Sequence, residues 1–268
     1  MRAGYLQFRP KFGDVDFNIK KINSLIGKNK FDLLVLPELA NSGYLFSDKK
    51  ELAELSEEIP NGKFCKALQE ICSKNKCYIV SGICEVSGNK FYNSSILVYP
   101  DGKIVTYRKI HLFNTEKKWF TPGDLPLRSN DITLKSSEKV KIGMMICFDW
   151  IFPETARTLA LQGVQILCHP SNLVMQYCQR AMFTRALENH IFTITANRIG
   201  KDIKKDGEIF FTGQSVIVSP KGEYIHTGSK NKEECVIVNI DPKIASDKFI
   251  NPENNLYKDR RKKFYKIH

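Results

Sequence analysis

The chain has 268 residues, 42% hydrophobic and 26% charged, which supports a packed core and excludes a globally disordered chain. Its longest run of apolar residues plus glycine, 142–148, spans seven residues; a membrane-crossing helix needs roughly 20, and charge returns so early, at Arg9 and Lys11, that no export signal is expected. The net charge of +12 comes from 31 Lys and only 10 Arg, scattered apart from one cluster at 258–263, with no RNP-like box, helix-turn-helix or zinc-finger pattern beside them, so a solvated lysine-rich surface is expected and no nucleic-acid partner.

In chain order, the first periodic element is a helical stripe of Ile19, Ile22, Leu25 and Ile26. Residues 31–36 then read as a strand, and Phe64, Leu68, Ile71 and Cys72 mark a second helix. Strands follow at 77–83 and 95–99, the latter turning through a Pro-x-Gly into 104–107. Residues 141–146 make the next strand. A helix over 153–163 opens on Pro153 and closes on Gly163, the usual asymmetry of helix ends. Strands at 164–169 and 192–196 flank an amphipathic helix over 175–189. The chain closes with strands at 215–219, 224–226 and 235–240. Several strands are apolar throughout, which suits sheets covered by helices.

The eight cysteines contain no CxxC, and the first four, Cys65, Cys72, Cys77 and Cys84, are spaced 7, 5 and 7. That argues against a zinc ribbon or a disulfide scaffold and predicts buried thiols in a reducing, cytoplasmic setting. An internal repeat is visible. Ser95-Ile-Leu-Val-Tyr-Pro-Asp-Gly-Lys103 aligns with Ser215-Val-Ile-Val-Ser-Pro-Lys-Gly-Glu223 at an offset of 120, and Leu34-Val-Leu-Pro-Glu38 aligns with Leu167-Cys-His-Pro-Ser171 at 133. Two similar halves, each with βα units and a hairpin, predict an α/β fold: a four-layer α-β-β-α sandwich of two pseudo-symmetric halves. No linker separates them, so residues 1–248 are expected to form one domain.

Function is sought at strand tips, where α/β sheets bind ligands. Glu38 follows a buried strand; partial desolvation there raises a carboxylate's pKa and suits it to accept a proton. Cys147 ends the strand at 141–146 and precedes a helix, a turn that exposes a side chain and favours a thiolate. Lys109, after 104–107, could place positive charge on an oxyanion. Taken singly, each has a plainer alternative: a capping carboxylate, one of eight inert thiols, one of 31 surface lysines. A papain-like arrangement of Cys147 with His169 or His190 and Asn197 competes, but the local signature around such a cysteine is absent.

Taken together, LPELANSGY, YRKIHLF and GMMICFDWIFPE, with Trp119-Phe-Thr-Pro-Gly-Asp124 and Arg185-Ala-Leu-Glu-Asn189, resemble the nitrilase, or carbon–nitrogen hydrolase, superfamily over essentially the whole chain. The likeness is to its small archaeal-type amidases and nitrilases. The resemblance implies an α-β-β-α sandwich in which Glu38 is the general base, Lys109 the oxyanion stabiliser and Cys147 the nucleophile. It also implies that Glu116 orients substrate or water and that the backbone N–H of Phe148 shares the oxyanion. It implies no metal and no organic cofactor. His111 stands beside the lysine motif as a brace for Lys109 or as packing.

The same four residues serve amidases, nitrilases and N-carbamoyl hydrolases. The short stretch from Lys109 to Pro122 favours a small aliphatic amide as substrate, with an aliphatic nitrile or an N-carbamoyl amine as the alternative. Tyr44, Phe113, Trp150 and Asn172 are the expected pocket wall, with Phe120 and the rest of the loop at 41–46 as further candidates. The basic stretch 249–268 is expected to be an arm at a subunit interface, making a homodimer or a higher symmetric oligomer.

Overall fold

The computed structural model describes residues 1–204 and 207–265. In chain order the elements are β1 (Arg2–Gln7), α1 (Val15–Ile26), β2 (Leu33–Val35), α2 (Lys49–Leu55), α3 (Lys63–Asn75), β3 (Tyr78–Ser87), β4 (Lys90–Val98), β5 (Ile104–Arg108) and α4 (Glu116–Trp119). They continue with β6 (Asn130–Thr133), β7 (Lys139–Met144), a 3-10 turn (Cys147–Ile151), α5 (Pro153–Leu161), β8 (Ile166–Pro170), α6 (Cys178–Asn189) and β9 (Phe192–Ala196). The last are β10 (Lys201–Lys204), β11 (Gly207–Phe210), β12 (Val216–Val218), β13 (Tyr224–Thr227) and β14 (Glu234–Asn239).

Two six-stranded sheets result, ordered β14-β1-β2-β3-β4-β5 and β6-β7-β8-β9-β12-β13, with β10 and β11 forming a separate hairpin. Each sheet runs through the same pairings: an antiparallel outer pair, two parallel pairs, then two antiparallel pairs. The repeats read from sequence therefore fall on equivalent strands, β2 with β8 and β4 with β12.

Strand alternation builds the layers. Leu33 and Val35 of β2 join Tyr78 and Val80 of β3 in a core shared with Ile142, Met144, Ile166 and Ile194 of the other sheet. Leu34 and Leu36 point the opposite way, onto Ile22 and Ile26 of α1 and Phe64, Leu68 and Ile71 of α3. Leu159 and Met182 bring α5 and α6 against the second sheet. This is the expected four-layer sandwich. All eight cysteines are free and seven are buried, Cys235 being partly exposed.

Several features depart from the sequence reading, the short helices α2 and α4 among them. The strand β1 is central, yet Arg2, Gly4 and Gln7 break its apolar pattern; Gly4 is required because a Cβ there would lie 1.8 Å from the Val236 carbonyl of β14. The strand β6 is a polar edge that carries little hydrophobic signal. The hairpin of β10 and β11 was likewise illegible. The helix expected from residue 175 begins at Cys178 instead, because residues 172–175 run across the site described below, where the Leu173 N–H is bonded to Asn197 Oδ1 at 2.8 Å. Residues 249–259 lie partly on their own chain, Tyr257 Oη donating to the Asn189 carbonyl at 3.1 Å.

Candidate active site

The carboxylate of Glu38 sits three residues beyond β2, on a turn held against β3 so closely that only glycine fits opposite. A Cβ on Gly82 would lie 2.3 Å from the Glu38 Cα. The Glu38 side chain is fully buried, with Oε1 accepting from Asn93 Nδ2 at 2.7 Å and from Lys109 Nζ at 2.6 Å. Its Oε2 is buried and has no partner among the described residues. Burial pushes the Glu38 carboxyl up despite the opposing pull of the Lys109 ammonium.

Lys109 directly follows β5, and its ammonium is fully buried. It also donates to the Glu116 carboxylate at 2.9 Å. Burial works against this charge, but Glu116 and Glu38 outweigh it and hold Lys109 above the ordinary lysine value. An ammonium has three donors; with two directed at carboxylates, one remains. Glu116 opens α4 and is itself fixed by Tyr44 Oη at 2.8 Å and by the Phe113 N–H at 3.1 Å.

Cys147 opens the 3-10 turn with φ of 39°, in the left-handed region, a conformation that non-glycine residues rarely hold without surrounding support. It is 6% exposed. Burial, then the charge of Glu38, pushes the Cys147 thiol up, against Lys109 and a hydrogen bond from the Asn172 backbone. The helix-end effect anticipated for this cysteine is thus outweighed. Burial therefore favours the neutral thiol over a preformed thiolate at this position.

The structure therefore brings Glu38, Lys109, Glu116 and Cys147 from four separated segments into one buried cluster. Cys147 lines a narrow cleft with about 10 Å³ of free volume, walled by Phe113, Phe148, Trp150, Asn172, Leu173, Val174, Met175 and Cys178. Three expected wall residues, Phe113, Trp150 and Asn172, are among these. Tyr44 is not; it stands behind Glu116, with its ring edge-on to Phe211. Phe120 also lies elsewhere, packed on Phe46. Asn172 has a second contact, its Nδ2 donating to the Glu38 carbonyl at 3.1 Å.

His111 braces Asp149 rather than Lys109, with Nδ1 2.7 Å from Asp149 Oδ1 and its ring stacked on Phe152. His169 meets the carbonyl oxygen of Cys147, at 2.9 Å, and His190 meets the Asp247 carbonyl at 2.5 Å; neither contact is the thiol pairing a papain-like arrangement requires. The sequence reading missed Asn93 and Asp149, buried polar residues whose roles depend on partners distant in the chain. Among the described residues, no group of three His, Cys, Asp or Glu side chains is placed to hold a metal, and no helix is long and apolar enough to cross a membrane.

The family described as Carbon-nitrogen hydrolase matches residues 2–249. A nitrilase of Pyrococcus abyssi is 42% identical over 268 residues, 99% of both chains. An (R)-stereoselective amidase of a Pseudomonas species is 30% identical, over 88% of this chain and 84% of its own. Among solved structures, the carbon–nitrogen hydrolase of Helicobacter pylori G27 superposes with a TM-score of 0.85 at 26% identity, covering 99% of this chain and 97% of that one. The chain belongs to the carbon–nitrogen hydrolase family, and it is a hydrolase with nitrilase and amidase homologues.

Proposed function

We propose that the protein hydrolyses a small aliphatic amide to a carboxylic acid and ammonia through a thioester on Cys147. The observation that carries this reading is the cluster itself: a buried carboxylate with one free oxygen, a buried ammonium with one free donor, and a thiol on a small apolar cavity.

In this mechanism Glu38 accepts the thiol proton as Sγ attacks the amide carbon. The oxyanion that forms takes the remaining Lys109 N–H and the Phe148 N–H. Glu38 then passes the proton to the nitrogen, the C–N bond breaks and ammonia leaves. Water attacks the thioester, Glu38 accepts its proton, the C–S bond breaks and the thiol regains a proton as the acid departs. Glu116, fixed by Tyr44, holds Lys109 in place and orients the water.

The wall of the cavity supports the choice of substrate. Apart from Asn172 its side chains are apolar, so nothing there matches a charged far end on the substrate. That disfavours an ω-amide acid or a carbamoyl polyamine, whose charge would be buried unpaired. A small aliphatic nitrile is the second reading, supported by the 42% identity to the Pyrococcus abyssi nitrilase. Ammonia release from a panel of short amides, ω-amides, nitriles and N-carbamoyl amines, with Cys147→Ala as control, tests both. Activity on short uncharged amides alone supports the first reading, and activity confined to charged or carbamoyl substrates overturns it.

We also propose that the protein is a homodimer or a higher homo-oligomer. Leu187, Ile244, Phe249 and Ile250 are exposed around one groove beside α6 and the start of the basic stretch, an apolar face of the kind that pairs with a second copy. Sedimentation of a monomer at micromolar concentration would contradict this.

A further inference from the structure

The peptide unit joining Cys147 to Phe148 carries two groups that matter. Its N–H is the one read above as an oxyanion donor, and its C=O is held by His169. That imidazole is fully buried, with Nε2 2.9 Å from the Cys147 carbonyl oxygen and Nδ1 3.1 Å from Thr195 Oγ1. A carbonyl only accepts, so Nε2 carries the hydrogen and the threonine hydroxyl donates to Nδ1. Burial pushes His169 down to about 4, so this neutral donor persists through neutral and mildly acidic pH.

A trans peptide is planar, and its C=O and N–H point in opposite directions. Fixing the carbonyl on one side therefore aims the N–H at the other. The preceding peptide unit, Ile146–Cys147, is fixed at its carbonyl, which accepts from the Asp149 N–H at 3.0 Å, and the Asp149 side chain is in turn held by Tyr107 and His111. With both flanking planes fixed, Cys147 is kept at its positive φ. The repeat adds an independent point. His169 stands where Leu36 stands in the other half, a position that core packing alone fills with leucine.

We propose that His169 is a positioning residue: through its hydrogen bond to the Cys147 carbonyl it sets the plane of the Cys147–Phe148 peptide and so aims the Phe148 N–H at the oxyanion. The proposal rests on Cys147 being the nucleophile and Phe148 N–H an oxyanion donor.

The test compares wild type with His169→Leu, His169→Gln, Thr195→Val and Cys147→Ala. Leucine removes the donor and keeps apolar volume; glutamine restores an N–H near the position of Nε2. Two rates are measured. One is turnover of the best short amide. The other is labelling of Cys147 by methyl methanethiosulfonate, followed by peptide mass, a sulfur exchange that forms no oxyanion. Deleting an oxyanion donor typically costs about 10²–10³ in rate, so misaiming one in His169→Leu is expected to lower kcat by about 10–10², with KM and the labelling rate nearly unchanged. His169→Gln should recover most of kcat. Thr195→Val, which keeps the imidazole but frees its orientation, should lose a smaller part and serves where the leucine variant does not fold. Wild-type kcat in His169→Leu or, where that variant does not fold, in Thr195→Val would overturn the proposal. So would labelling slowed as much as turnover, which would assign His169 to the thiol or to the fold. Turnover surviving in Cys147→Ala would overturn the reading beneath it.

Discussion

The two halves of the sandwich share a scaffold and divide the chemistry. At the tip of β2 the chain reads Leu34-Val-Leu-Pro-Glu38, and at the tip of β8 it reads Leu167-Cys-His-Pro-Ser171. The strands before these tips alternate alike and pair alike. Three positions differ: Val35 against Cys168, both buried and apolar, and two that change the chemistry, Leu36 against His169 and Glu38 against Ser171. The first half supplies the buried carboxylate of Glu38, which the proposed mechanism uses as general base, and, after β5, the ammonium; the second supplies the thiol and the imidazole that holds its backbone. Sheet packing sets the repeat, while residues at and just past the tips diverge because packing does not constrain them. Neither half holds a complete site.

Removing the thiol that the second half provides is the severest way to break this division. Cys147→Ala should lower turnover by at least about 10³-fold, in keeping with nucleophile deletions elsewhere, as read by ammonia release. Glu38→Gln, nearly isosteric, should cost about 10²–10⁴. Because burial raises Glu38, the acid limb of wild-type kcat/KM should lie above the ordinary glutamate range, activity falling as pH drops and Glu38 takes a proton. An acid limb at an ordinary carboxylate pKa would contradict the desolvation argument.

Stability changes are smaller and sharpen the same comparison. Lys109→Met leaves two buried carboxylates without their shared cation, a loss of about 3–5 kcal/mol. The loss should be greater at high pH, where Glu38 is charged, and thermal melts across pH will show it. Gly82→Ala forces the turn at Glu38 away from β3 and should cost about 1–3 kcal/mol as overpacking, together with activity; the equivalent change far from the site would affect stability alone. His169 contributes a slope rather than an offset. Its pKa falls from 6.5 to about 4 on folding, so between those values the unfolded chain binds a proton that the folded one refuses. Stability is lost as pH falls through that window, and His169→Leu should lack this loss.

The strands that are apolar throughout, such as β2, and the helices with clear stripes, α1 and α3, were legible in the sequence because local pattern and tertiary environment agree there. The strand β1 was not, since its place in the centre of a sheet depends on β14 from the far end of the chain. The cluster of Glu38, Lys109, Glu116 and Cys147 was legible through motif order and through position at strand tips. The cavity wall was legible only in part. Phe113, Trp150 and Asn172 lie near those motifs, but Val174, Met175 and Cys178 reach the cavity because the helix starts only at Cys178. Tyr44 was drawn to the pocket by proximity in sequence, whereas its hydroxyl is committed to Glu116.

The proposed reaction turns on a bond between Sγ of Cys147 and the acyl carbon of the substrate. Acid quenching during turnover of a short aliphatic amide, followed by peptide mass analysis, should find the acyl group as a thioester on the peptide carrying Cys147, with neither adduct nor ammonia in Cys147→Ala. Sustained ammonia release from Cys147→Ala, or an acyl group trapped on a different residue, would contradict it.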